Sequence, residues 1–321
     1  MIVGSRRTFL AGAGTLCAGA PVAVRAQTPT HVVLGTAPTD SGSPPVIAQR
    51  TGIYRRYGLD VDVQFMGSGA ALVAAVIGGT LQIGTTSTVG LVTAHAKGIP
   101  LQIVAPTSIY LTENPGELLL VRKDSPIRSG ADMNGKTIAS PAFGDLISTA
   151  TFAWIDQHGG DSKTVHSIEL PSAATPAALA AGRIDAAAMN EPRLSEALQS
   201  GNFRSIGKPY DAIAPRFLVA CFVVTAEFGN AHPELLARFA RAHHETNVFA
   251  NAHPEQTAVW LAEIAKLEPA AIQRGRRETF AETLAVADVQ RVVDAAARFK
   301  LIERAFDARE LISPAVLNLR F

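Results

Sequence analysis

Two loops, 103 residues apart, carry side chains suited to holding a small molecule. One is Thr86-Ser87-Thr88, three hydroxyls in a row; the other is Asn190-Glu191-Pro192, an amide beside a carboxylate. Each loop closes a copy of the same phrase, which runs from Ala75 to Thr85 in the first case and from Ala178 to Ala188 in the second. Each copy reads as a helix end, a Gly stop, a short apolar strand and a polar tip. Hydroxyls and amides donate hydrogen bonds, whereas a carboxylate accepts them. Such groups on two tips suit reversible capture. In open α/β sheets ligands collect outside the carboxyl ends of the strands, so two such units offer two tips between which a ligand can sit.

The elements that position these tips alternate strand and helix. His31 to Gly35 reads as the first strand, and Asp60 to Phe65, which alternates polar and apolar, as a second. Ser43 before Pro44-Pro45 reads as a helix N-cap, and Gly67-Ser68-Gly69 turns into a helix from Ala70 to Ile77. Ser87 or Thr88 caps the helix that ends at Gly98, and Leu101 to Ala105 is a further strand. Glu117 to Arg122 reads as a strand leaving the first lobe, and Phe217 to Val224 as the strand that returns. Between them Thr137 to Ser140 and Ser167 to Leu170 are strands, and Gly144-Asp145 leads a helix to about His158. Alternation of this kind predicts parallel sheets with helices on both faces. From Pro233 onward the pattern is amphipathic helix, broken at His253-Pro254, Glu268-Pro269 and Ser313-Pro314. A tail without strands is expected to cover existing surface and not to build a third sheet.

The 321 residues are 47% hydrophobic and 18% charged, a globular composition long enough for two domains. Residues 1–26 read as a signal peptide. Ser5-Arg6-Arg7-Thr8-Phe9-Leu10 is a twin-arginine motif, a Gly/Ala-rich apolar stretch follows, and Val24-Arg25-Ala26 resembles a cleavage site before Gln27. That stretch is too short and too rich in Gly to span a membrane well. Leu16 beside Cys17 does not suit a lipid-attachment box. Without the leader's three arginines the net charge of +1 becomes −2, and no long basic run remains, which excludes nucleic acid as a partner.

Other chemistries find little support. Gly67-Ser68-Gly69 lacks the third Gly and the acidic residue of a dinucleotide fingerprint, and no Gly-x-Ser-x-Gly elbow occurs. His232, His243, His244 and His253 lack ligand spacing and read as surface residues, so no metal and no cofactor are expected. Cys221, alone in the mature chain, lies in an apolar strand where a thiol behaves as a small hydrophobe.

Gly52-Ile53-Tyr54-Arg55-Arg56-Tyr57-Gly58-Leu59-Asp60-Val61 resembles a signature of the nitrate, sulfonate, taurine and thiamine-precursor group (NMT1/THI5-like, SsuA-like) of periplasmic substrate-binding proteins. So do Gly67-Ser68-Gly69 with Gly79 and Ile83-Gly84, the run Leu120 to Ile127 followed by Asp132 to Lys136, and Gly182 to Ala186 with Glu191-Pro192. The resemblance covers about residues 31 to 240.

It implies an α/β, two-lobed periplasmic-binding-protein fold, type II-like, with two doubly wound sheets joined by two crossover strands and a helical C-terminal segment. The expected division is 27–121 for the first part of lobe I, 122–216 for lobe II, and 217–321 for the return to lobe I and its terminal helices. Such a protein is an exported, periplasmic monomer that delivers a small molecule to an ABC-type permease. Its ligand would meet Asp40, Ser41, Gly42, Ser68, Gly69, Thr86 and Ser87 on the first lobe, with Gly67 beside them. On the second it would meet Phe143, Gly144, Asp145, Asn190 and Glu191. Helix N-termini favour an anion there. Ser43, Ser87 and Thr88 also read as plain caps, and Asp145 as an N-terminal helix acid. If Asp145 and Glu191 face the cleft, the ligand carries a donor such as an amine or ring N–H. Phe143 or Tyr110 could stack on it. The alternatives are an enzyme on the same scaffold, with Cys221 near the cleft and a His, or a sensor that presents ligand to a receptor.

Overall fold

The computed structural model describes residues 28–320 together with Met1, Ile2 and Gly4. The twin-arginine motif, the cleavage site before Gln27 and Cys17 lie outside the described residues.

The first sheet grows from β1 (Thr30–Thr36), β2 (Leu59–Phe65), β3 (Ile83–Ser87) and β4 (Leu101–Pro106). Their connections are α1 (Pro44–Arg50) and α2 (Ile53–Arg56), then α3 (Gly69–Ile77), then α4 (Thr88–Ala96). A short strand, β5 (Ser108–Leu111), carries the chain onward. The second sheet comprises β6 (Glu117–Arg122), β7 (Thr137–Ser140), β8 (His166–Glu169), β9 (Ala186–Asn190) and β10 (Phe203–Gly207). It is connected by α5 (Leu146–Gln157), α6 (Thr175–Ala180) and α7 (Arg193–Gln199). The chain returns through β11 (Arg216–Leu218) and β12 (Ala220–Thr225). There follow α8 (Ala226–Ala231), α9 (Pro233–Ala252), α10 (Pro254–Ala265), α11 (Pro269–Gln273), β13 (Thr279–Phe280), α12 (Val286–Arg298) and α13 (Pro314–Leu317).

The strand orders are β2-β1-β3-β12-β4 and β10-β6-β9-β7-β8. Each sheet is parallel except for one strand: β12 runs antiparallel to β3 and β4, and β6 antiparallel to β9 and β10. Both exceptions are strands that arrive from the other lobe, so they enter from the cleft side. The purely parallel expectation misses them because periodicity carries no direction.

Three further differences follow from the topology. The strand Glu117 to Arg122 does not leave the first lobe; it lies inside the second sheet, paired with β9 and β10. The passage is β5, which pairs antiparallel with β11, Tyr110 opposite Phe217. The stretch Phe217 to Val224 divides at Val219, so that β11 belongs to the hinge and β12 to the first sheet. A third small sheet does exist, in the order β11-β5-β13. Its edge, β13, is two residues long, below any length at which alternation shows.

The core is filled by apolar strands and the inner faces of helices; Phe217, Phe222, Phe239 and Tyr110 are among its largest fully buried side chains. His243 belongs to it and not to the surface. It is wholly buried on α9, its Nε2 lies 2.7 Å from the Tyr54 hydroxyl, and it packs on Phe222 and Phe239. Burial disfavours its charged form and lowers its pKa to about 3. Among the described residues no His, Cys, Asp and Glu group could hold a metal ion, and no helix is long and apolar enough to cross a membrane.

Candidate functional site

A cleft of about 440 Å³ opens between residues of the two sheets, within the range of small-molecule sites. Three helices begin at it. Gly67, Ser68 and Gly69 start α3, Ser87 starts α4, and Gly144, Asp145 and Leu146 start α5, all on its lining. A helix N-terminus leaves backbone N–H groups unpaired and carries partial positive charge. Three of them on one cleft therefore favour a negatively charged group.

Local chemistry explains these starts. Ser68 Oγ accepts from Ala71 N at 3.3 Å and Ser87 Oγ from Gly90 N at 3.1 Å, so both are caps that also face the cleft. Ser43 is not a cap. Pro44 and Pro45 remove the first two donors of α1, and Val46 N is taken by the Ser43 carbonyl, so its hydroxyl has nothing to accept from. Gly42 is required by close approach, since a Cβ there would fall 2.1 Å from Ala37 O. Asp145 caps α5: its Oδ1 receives Ser148 N at 2.7 Å, Ser148 Oγ at 2.9 Å and Ser140 Oγ at 2.8 Å. Burial raises its carboxyl above the usual range, opposed by these bonds.

Ten of the twelve residues picked out by sequence line the cleft together: Ser41, Gly42, Ser68, Gly69, Thr86 and Ser87 from the first lobe, and Phe143, Gly144, Asp145 and Asn190 from the second. Asp40 and Glu191 are not on its lining. Asp40 is fully buried and bound by both ends of the Arg277 guanidinium, at 2.8 and 2.6 Å, and by Glu278 N at 2.8 Å. Glu191 is 1% exposed. Its two oxygens receive Ser195 Oγ at 2.8 Å and Ser195 N at 3.1 Å, and its carbonyl receives Asp40 N at 3.3 Å. The two acids thus belong to a buried network behind the cleft, at the joint between the lobes. There burial pushes Glu191 up to about 7 and Glu278 up to about 8.

Tyr110 is likewise hinge packing. It is 2% exposed, donates to Asp211 Oδ1 at 2.7 Å and lies against Tyr210 and Phe217. Tyr210 reaches the lining instead. Also missed by sequence were Leu72, Val73 and Ile77 of α3, and Thr93 and Lys97 after the α4 start. Their helical spacing was a usable signal, since Gly69, Val73 and Ile77 fall on one face. Arg277 and Glu278 had none; they lie 237 and 238 residues from their partner Asp40.

Cys221 has no exposed surface, and burial pushes its thiol up to about 12. Its thiol donates to Thr86 O at 3.9 Å. A thiolate nucleophile needs a lowered pKa and access, and this Cys has neither.

Residues 42–257 match the sequence model of the family described as NMT1/THI5 like. The taurine-binding periplasmic protein of Escherichia coli (strain K12) is 29% identical over 266 residues, 81% of this chain and 76% of that protein. The alkanesulfonate-binding protein SsuA from Xanthomonas axonopodis pv. citri, bound to MOPS, superposes with a TM-score of 0.71 at 20% identity, covering 89% of this chain and 98% of that one. The nitrate-binding protein NrtA from Synechocystis PCC 6803 superposes with a TM-score of 0.71 at 16% identity, covering 88% and 84%. The fold is that of the periplasmic binding proteins.

Proposed function

This chain belongs to the NMT1/THI5-like family, and on that premise we propose that it captures a small organic acid between its lobes and hands it to an ABC-type permease. The three proteins described above are named for binding taurine, alkanesulfonate and nitrate, and none of them is an enzyme by name. The observation that carries the acid is the convergence of the α3, α4 and α5 N-termini on one cleft, with Asp40 and Glu191 held off its lining and Asp145 Oδ1 accepting from Ser140 and Ser148. Ser41, Ser68, Thr86, Ser87 and Asn190 add side-chain donors around the same space. An amine-bearing ligand was implied only if Asp145 and Glu191 faced the cleft. Glu191 does not line it and Asp145 spends Oδ1 on its own helix, so the acid is the better fit. A sulfonate or carboxylate with an organic body matches the apolar side chains that complete the lining.

The leader with Arg6-Arg7 supports export before capture, and the buried, unreactive Cys221 supports binding without chemistry. Closure of the lobes about β5 and β11 would shut the cleft on the ligand, the first lobe supplying Ser87 and the second Asn190. A thermal-shift panel of sulfonates, carboxylates, amines and neutral heterocycles tests the reading. Ligands that bind only the native state raise the melting temperature. The acids should do so and the amines should not; a stabilising amine with silent acids would refute the assignment.

A further inference from the structure

The cleft is longer than an acid group and a short body need. It continues from the N-termini of α3 and α4 along both helices. On α3 the lining is Gly69, Val73 and Ile77, with Ala70 and Ala74 beside them; on α4 it is Gly90, Thr93, Ala94 and Lys97. Each set lies on one helical face. From Gly69 to Ile77 the channel therefore extends about 12 Å, at 1.5 Å of rise per residue.

The composition of α3 is the second observation. Its nine residues, Gly69 to Ile77, include no polar side chain. A helix that is apolar all round is ordinarily buried. This one is not: Ala70, Ala71 and Ala74 are exposed, and Ile77 is 51% exposed. Of these exposed residues Ala70, Ala74 and Ile77 line the cleft. On the opposite lobe Phe143 stands 62% exposed at the rim, held up by Gly144 at φ +70. Lys97, at the C-cap of α4, closes the far end.

We propose that the channel between α3 and α4 receives an extended apolar body, so that the preferred ligand is an organic acid with a chain of several methylenes or a ring system and not a compact two-carbon acid. The inference rests on the acid-binding reading for the position of the head group and adds Val73, Ala74 and Ile77 as the residues that select the body. The occupant is part of the ligand because the channel is continuous with the cleft that holds the head.

Titration calorimetry of the mature protein with ethane-, butane- and hexanesulfonate, and with the alkanols of equal length, tests this. Affinity should rise along the sulfonates by roughly threefold per methylene, on the order of a hundredfold from ethane- to hexanesulfonate. Val73→Ser with Ile77→Ser should flatten the series, weakening hexanesulfonate most and ethanesulfonate least. Ala74→Leu, which fills the channel, should exclude hexanesulfonate alone; thermal melts confirm that each variant folds. A flat or falling sulfonate series overturns the channel while leaving the acid-binding reading intact. A rising series in which alkanols bind as well as sulfonates supports the channel and overturns the acid head. Silence from every ligand overturns both.

Discussion

The two copies of the repeated phrase fold alike up to their last residue and then part. Gly79 and Gly182 both take positive φ, +76 and +69, to stop α3 and α6. Leu81 and Ile184, each 1% exposed, both anchor the turn two residues before the next strand. Gln82 N and Asp185 N then donate to the neighbouring strand at Val33 O and Thr137 O. In return Gln82 Oε1 and Asp185 Oδ2 accept from Val33 N and Thr137 N, each at 2.8 Å. Past the strands the first copy caps its helix with Ser87, whose hydroxyl faces the cleft. The second copy keeps Asn190 at the cleft and sinks Glu191 into the hinge, where Asp40 N donates to its carbonyl and Arg277 in turn holds Asp40. The same scaffold therefore serves two tasks: one tip only lines the cleft, and the other lines it and ties the lobes together.

The largest effect should come from cutting the tie. Arg277→Leu strips Asp40, fully buried, of its guanidinium, and loss of one partner of a buried pair costs about 3–5 kcal/mol. Urea unfolding should show that loss, whereas Arg50→Leu, whose pair with Glu263 is exposed, should cost under about 1 kcal/mol.

The second tip should also make stability depend on pH. Glu191 is raised to about 7 from a model-peptide value of 4.5, so the native chain holds a proton that the unfolded chain has released. Stability is then fully present below about 4.5, falls as pH rises toward about 7, and levels beyond it, with an amplitude on the order of 3 kcal/mol. Glu191→Gln should remove that part of the slope; the part from Glu278, which extends to about 8, should remain. No carboxylate occupies Thr86, Ser87 or Thr88, so Ser87→Ala should leave the slope unchanged.

Smaller effects separate the binding roles. Ser87→Ala should lower stability by about 1 kcal/mol, as lost caps do, and weaken ligand binding roughly tenfold. Asn190→Ala should weaken binding by a similar factor with little change in melting temperature. Smallest is the shared stop: Gly79→Ala, where nothing lies within 4 Å of the new Cβ, should cost about 1 kcal/mol from the positive φ alone. Gly182→Ala should cost slightly more, because Arg122 Nη1 must move from 2.8 Å.

What the sequence made legible follows the range of the interactions. Caps, Gly stops and short apolar strands are local, so the repeat and ten of the cleft residues could be read from neighbours in the chain. The partner of Asp40 could not, and Ser195, the local partner of Glu191, is itself tied to the distant tail. Arg277 reaches Asp40 across 237 residues, and Arg276 N meets Ser195 Oγ across 81. Nothing local distinguishes a carboxylate that faces a ligand from one that faces a distant arginine. His243 was misplaced for a related reason: it differs from its neighbour His244 only in which side of α9 it occupies, and the partner side was set by Tyr54 on α2. The apolar face of α3 was legible and passed over, because an apolar helix ordinarily reads as core.

A crystal structure of the mature protein with hexanesulfonate tests the account most directly. The cleft offers positive charge at two ends, the three helix N-termini and, nearly three turns along α4, Lys97. The sulfonate oxygens should sit on Ser87 and on the backbone N–H groups left free at the starts of α3, α4 and α5, with the chain running past Val73 to Ile77. A sulfonate seated on Lys97, with its chain pointing toward Ser87, would contradict it.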